Sequence, residues 1–162
     1  QRHGMQPFGM RAMMSLRLDK FFGSWMNEYS PDYTAGETGL DRFIDFNKPV
    51  DFIGRAAAEK ERSTGPARCL VTFEVDADDA DVTAYEPVWI DGKVRGFCTS
   101  GGYSHYAQKS VALALIPRGL SKPGLVVEIE ILGSRRPARL IETPLFDPDG
   151  ARMRQDLTAV CS

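Results

Sequence analysis

Apolar side chains in the opening stretch recur at the spacing of a helix. Met10, Met13, Met14, Leu18 and Phe21 fall three and four residues apart, which predicts a helix over residues 7–22 with one apolar face. Pro7 stands in its first turn, where the missing amide costs no hydrogen bond, and Gly23 ends it. That spacing assigns the methionines to core packing by default, with a flexible ligand-facing surface as the alternative. Residues 25–39 hold Ser30-Pro31-Asp32, Gly36 and Gly39 and read as an ordered loop. A short strand is expected over residues 40–46. Asp51 then caps a helix running from Arg55 to Glu61, which Ser63-Thr64-Gly65-Pro66 stops.

Beyond residue 66 the period changes from helical to alternating. Strands are expected over residues 69–75, 88–90, 94–99, 111–116, 125–132 and 138–142, with Val127-Glu128-Ile129-Glu130-Ile131 alternating strictly. Asp91-Gly92 is a hairpin signal because a tight primed turn needs positive φ; Pro123-Gly124 and Gly133-Ser134 supply further turns. Six short strands without an intervening helix pattern predict a small antiparallel barrel or sandwich. The fold class is therefore α+β, a helical segment over residues 1–66 followed by a six-stranded β-barrel over residues 67–155 and a tail over residues 156–162.

Composition narrows the function classes. The chain has 162 residues, 43% of them hydrophobic, and a net charge of −2, enough for a packed core. Lys and Arg are scattered, so no basic stripe would follow a nucleic-acid backbone. No apolar stretch nears the roughly 20 residues of a membrane-spanning helix, and residues 1–4 carry no apolar signal core; neither nucleic acid nor a membrane is an expected partner. Cys69, Cys98 and Cys161 are odd in number and widely spaced, so no disulfide framework or zinc site is expected and a reducing cytosol fits best. The chain opens on Gln1 and enters a helix pattern at once, which reads as a piece of a longer polypeptide.

Little in the chain resembles a self-contained active site: phosphate-cradling glycine loops, HExxH and GxSxG are all missing from the sequence. The unusual segment is Thr99-Ser100-Gly101-Gly102-Tyr103-Ser104-His105-Tyr106, which gathers hydroxyls, aromatics and a histidine around a Gly-Gly bend. Such a loop can line a ligand cleft; the plainer reading is a barrel turn in which Tyr103 and His105 satisfy local backbone groups. Arg17 has no acidic partner at helical spacing, so it reaches across, either to Asp41 or Asp45 as a structural ion pair or to the carboxylate of an anionic ligand. His3 is expected to be solvent exposed.

Read in order, Pro7-Phe8-Gly9-Met10-Arg11-Ala12, Ser15-Leu16-Arg17-Leu18-Asp19-Lys20, Thr38-Gly39-Leu40 and Asp51-Phe52-Ile53-Gly54-Arg55 resemble the glycine-cleavage T-protein (aminomethyltransferase) family. Residues 96–103, Lys109-Ser110-Val111-Ala112-Leu113-Ala114, Pro123-Gly124 and Pro144-Leu145-Phe146-Asp147-Pro148 resemble its C-terminal barrel and closing segment. Lys20, Phe21-Phe22, Gly23 and Trp25 are similar to the dimethylglycine and sarcosine dehydrogenase branch. The resemblance implies the C-terminal part of a folate-dependent one-carbon-transfer protein, with tetrahydrofolate as its carbon acceptor and FAD in an upstream domain that oxidises a methylated amine. It equally admits a stand-alone aminomethyltransferase, a related demethylase, or a non-catalytic folate-sensing or scaffold module. Three departures stand out: Met13 where the family has a folate-contacting Arg, Asp19 for its Glu, and no counterpart of its C-terminal Tyr in Asp149-Gly150-Ala151-Arg152. The family's catalytic aspartate lies in the module's first half, so no residue here is assigned a catalytic role. The cleft candidates are Arg17, Trp25, Tyr103 and His105, and no metal ligand is assigned.

Overall fold

The computed structural model describes residues 4–154; His3, Cys161 and the tail over residues 156–162 lie outside them. Three helices come first: α1 (Met10–Asp19), α2 (Ala35–Thr38) and α3 (Arg55–Thr64). Six strands follow, β1 (Arg68–Val75), β2 (Pro87–Ile90), β3 (Lys93–Ser104), β4 (Lys109–Pro117), β5 (Val126–Ile131) and β6 (Ser134–Ile141). All neighbours are antiparallel, and the order β1-β4-β3-β2-β5-β6 closes into a barrel, which removes both sheet edges. Asp91 and Gly92 both adopt positive φ in the β2–β3 hairpin. The tight β5–β6 turn sits on Leu132-Gly133, one residue earlier than expected, with φ of 50° and 80°.

Alternate side chains fill the interior. Phe73, Val88, Ile90, Cys98, Ala112, Ala114, Ile116, Val127, Ile129 and Ile131 form one buried cluster, while Val126 and Glu128 face water. Strand β4 breaks this alternation, because Ser110 through Ile116 are all buried. Its inward residues join the barrel core; its outward Val111 and Leu113 pack against Leu18 of α1. The helix is thus the outer cover of β4, and burial of both faces explains a strand read as Val-Ala-Leu-Ala-Leu-Ile.

Four expectations are corrected. Residues 40–46 form no strand: a 3-10 turn spans Asp41–Phe43, because Gly39 ends α2 in the left-handed region and the amides of Phe43 and Ile44 bond back to Leu40 and Asp41. Residues 34–38 are not plain loop, since Thr34 and Glu37 form a reciprocal capping box that starts α2. Asp51 does not cap α3; its Oδ1 accepts from Phe52 N at 2.8 Å, and Gly54, at φ 89°, occupies the cap position. The methionines are not core: Met10 is 69% and Met13 44% exposed, because the barrel-facing side of α1 is carried by Leu18 and Ser15.

The helical segment is pinned to the barrel by a second contact, in which Arg68 at the start of β1 donates from Nε and Nη2 to the two Glu37 oxygens at 2.8 and 3.3 Å. Burial alone would raise the Glu37 carboxyl, but the Arg68 and Thr34 hydrogen bonds outweigh it and hold the group below its ordinary value. A depressed folded value means that this stabilisation is present above the ordinary carboxylate range and disappears as pH falls through the folded value. Glu37→Gln should therefore cost about 1 kcal/mol at neutral pH, the figure for a charged hydrogen bond reduced for the half-exposed Arg68. Urea titrations should show that difference shrinking as pH falls below the ordinary carboxylate range. Phe73→Ala, which empties a fully buried position, should cost about 3–5 kcal/mol in the same assay.

Candidate functional site

A β-bulge at Thr99 builds the site. Strand β3 pairs Cys98 with Ala114 and then Ser100, not Thr99, with Leu113. Simple alternation would point Ser100 into the barrel beside Cys98; the inserted residue turns it to the outer face, the side on which Leu113 meets α1. Tyr103 and the Gly-Gly pair expected in a loop are therefore part of β3, which runs to Ser104. Gly101 is required there by close approach, since a Cβ would lie 2.4 Å from the Val82 carbonyl oxygen.

Ser100 is the hub of a buried polar node. Its hydroxyl donates to Glu28 Oε1 at 2.5 Å and accepts from Arg17 Nη2 at 2.6 Å and Asn27 Nδ2 at 3.0 Å, which uses its one proton and both lone pairs. Glu28, fully buried, accepts through Oε2 from Ser24 N at 2.7 Å and pairs with Arg17 Nη1 at 3.4 Å. Arg17 Nη1 also donates to the Phe22 carbonyl at 2.9 Å. Burial lowers the Arg17 guanidinium from its usual range, with Glu28 opposing. The partner of Arg17 is thus Glu28, and neither Asp41 nor Asp45 bonds to it: those two lie in and after the 3-10 turn, whereas Glu28 follows the exit of α1 directly.

The other candidates lie around this node. Trp25 and Met26, on the turn between Ser24 and Glu28, are 73% and 86% exposed. Tyr103 is partly exposed, and its carbonyl accepts from Ser15 Oγ at 2.6 Å, tying β3 to α1. Its ring meets exposed His105 edge to face, centroids 5.1 Å apart. Among the described residues neither side chain hydrogen-bonds to the local backbone, so the barrel-turn reading is replaced by a paired aromatic surface. At the end of α1 the closing segment is strapped down: Phe146 N donates to the Asp19 carbonyl at 3.1 Å and Lys20 pairs with Asp147. Asp19 is 3% exposed, and its Oδ1 has no partner among the described residues.

A cavity of about 870 Å³ lies elsewhere, lined by Glu74, Asp76, Asp78, Asp79, Asp81 and Lys109; of the four candidates Tyr103 alone borders it. Among the described residues no group of acids, histidines or cysteines could hold a metal ion, and no helix is long and apolar enough to cross a membrane. Burial, with a smaller push from Glu86, raises the Cys98 thiol to about 12, which makes it a poor nucleophile. The sequence reading missed Glu28 and Asn27, and named Ser100 within the unusual segment without giving it a role of its own. The signal available for Glu28 was a lone acid between Trp25-Met26-Asn27 and Tyr29; the bulge that exposes Ser100 to it left none.

Comparison with known proteins agrees with this architecture. The family model described as glycine cleavage T-protein C-terminal barrel domain matches residues 68–147, and that described as GCVT N-terminal domain matches residues 1–48. Mitochondrial dimethylglycine dehydrogenase of Mus musculus is 42% identical over 158 residues, covering 96% of this chain and 18% of its own length. Aminomethyltransferase of Prochlorococcus marinus (strain NATL1A) is 34% identical over 143 residues, 88% of this chain and 38% of its own. The chain thus spans about a fifth of the first relative and under two fifths of the second. The crystal structure of the aminomethyltransferase of Bartonella henselae superposes with a TM-score of 0.79 at 24% identity, over 86% of this chain and 39% of that one, and has the same fold. With its barrel over residues 68–147 and its leading segment over residues 1–48 both matched, the chain belongs to the glycine cleavage T-protein family.

Proposed function

We propose that this chain is one wall of the folate cleft in a larger one-carbon-transfer protein. In this reading residues 1–66 end the folate-binding domain, residues 67–155 are its barrel domain and residues 156–162 a tail. The observation that carries it is the unpartnered apolar surface along α1 and its exit. Met10, Met13 and Leu16 of α1 and Phe8, Phe22 and Trp25 beside it are all exposed, while Leu18 seals the other side of the helix against β4. So many large exposed apolar side chains on one short segment call for a cover, here the remainder of the parent polypeptide together with the ligand.

The residues present suit a pterin. Exposed Trp25 offers a flat face for stacking. The acidic cavity has the wrong sign for the glutamate tail of folate and plays no part. Tetrahydrofolate, when bound, supplies the amines that take up a carbon at the oxidation level of formaldehyde. The chain's own residues orient the ring and exclude water; none acts as acid or base. The parent that best agrees with the 42% identity is an FAD-linked dehydrogenase of the dimethylglycine or sarcosine type, acting on a methylated amine. FAD falls to an upstream domain, because no glycine loop of this chain suits it. A stand-alone aminomethyltransferase or related demethylase is the alternative parent.

A second reading, a non-catalytic folate-sensing or scaffold module, is favoured by two observations: Arg17 is consumed by Glu28, Ser100 and the Phe22 carbonyl, and Met13 stands where the family has its folate-contacting Arg. Calorimetric titration with tetrahydrofolate separates the two. The parent should bind and this chain alone should not; absence of binding by both would leave only the scaffold. In the parent, Trp25→Ala should weaken binding about tenfold, or about 1.4 kcal/mol, while urea unfolding stays within about 0.5 kcal/mol, as for other exposed sites.

A further inference from the structure

We infer that Glu28 is the positioning residue of the Trp25 tip, and that the Glu28–Ser100–Arg17 node exists to hold this tip in its extended, ligand-ready form. The inference rests on the reading above that Trp25 faces a ligand. The tip is a closed ring: the Ser24 carbonyl accepts from the amides of Asn27, Glu28 and Tyr29 at 3.3, 3.1 and 3.0 Å, and Glu28 Oε2 returns to the Ser24 amide. Outside the ring, Arg17 grips the Phe22 carbonyl before the tip, and Ser100 grips Glu28 after it. Trp25 and Met26 lie between these two anchors and point to solvent.

An unheld tryptophan on such a turn would fold onto the neighbouring apolar surface of Phe22 and α1, because burying it is favourable. Keeping it exposed therefore requires a backbone fixed on both sides. A buried ion pair is a poor means of adding stability, since desolvating the two charges consumes most of their attraction. It is a good means of fixing one geometry, and a ring presented in its bound orientation loses less freedom when the ligand arrives.

Trp25 and Trp89 are the two tryptophans of the chain, and Trp89 lies on β2, bonded to Glu130 and stacked under Arg135. Fluorine NMR of the 5-fluorotryptophan-labelled chain thus gives one resonance at the tip and one internal reference, assigned with Trp89→Phe. Glu28→Gln places an amide donor against Ser24 N and Arg17, and Ser100→Ala removes the hub. Both should shift or broaden the Trp25 line, by about twofold in width, and leave the Trp89 line in place; in the parent both should raise the Kd for tetrahydrofolate about tenfold. Unchanged Trp25 lines in both variants, or joint collapse of both resonances into an unfolded envelope, would overturn the positioning role. A Trp25 line that responds in the variants, with a wild-type parent that does not bind folate, upholds the positioning role and overturns the ligand reading instead.

Discussion

Closing the barrel leaves one strand with apolar residues on both faces, and the rest of the structure follows from covering its outer side. Val111 and Leu113 point away from the core of β4 and are buried by Leu18 of α1. That contact fixes where α1 lies, and the Ser15 and Arg17 bonds to β3 fix how it is turned. The chain leaving α1 then has one course, through the Phe22 carbonyl held by Arg17 to the turn locked by Glu28. Trp25 stands where it does because a helix had to seal a strand.

The largest group of polar side chains in this hydrophobic junction gathers at the bulge at Thr99. One extra residue turns Ser100 from the interior to the helix side, and its hydroxyl makes three hydrogen bonds to residues from two other segments. Every member of the node is satisfied, which is the condition under which a buried polar network specifies geometry without a large penalty. Asp19 differs: it is buried nearby on the same helix with one oxygen unpartnered among the described residues, where Arg136 Nε is the other buried side-chain atom left so.

The strands were legible because alternation and turn chemistry are local: Val127 to Ile131 and Asp91-Gly92 behave as their neighbours dictate. The methionines of α1 misled because helical spacing identifies an apolar face without saying what covers it; Leu18 alone proved to be the deeply buried residue of that set. Asp51 misled because the N-cap of α3 falls three residues later, at Gly54, while the Asp51 carboxylate is taken by the adjacent Phe52 amide. Arg17 was recognised as reaching across, but its bond to Ser100 depended on a bulge that shifts register in β3, and register is a property of paired strands. The family resemblance, carried by residues 7–20, 38–40 and 51–55 and by the barrel motifs at 96–103, 109–114, 123–124 and 144–148, pointed to the right fold for the same reason the strands were readable: its motifs are short, local and in order.

Hydrogen–deuterium exchange on the full-length parent, with and without tetrahydrofolate, tests the central claim most directly. If this chain is a wall of the folate cleft, ligand should slow exchange in residues 15–29 and 100–106 and leave the acidic stretch over residues 74–81 unchanged. Protection confined to residues 74–81, or no protection anywhere in this chain, would contradict it.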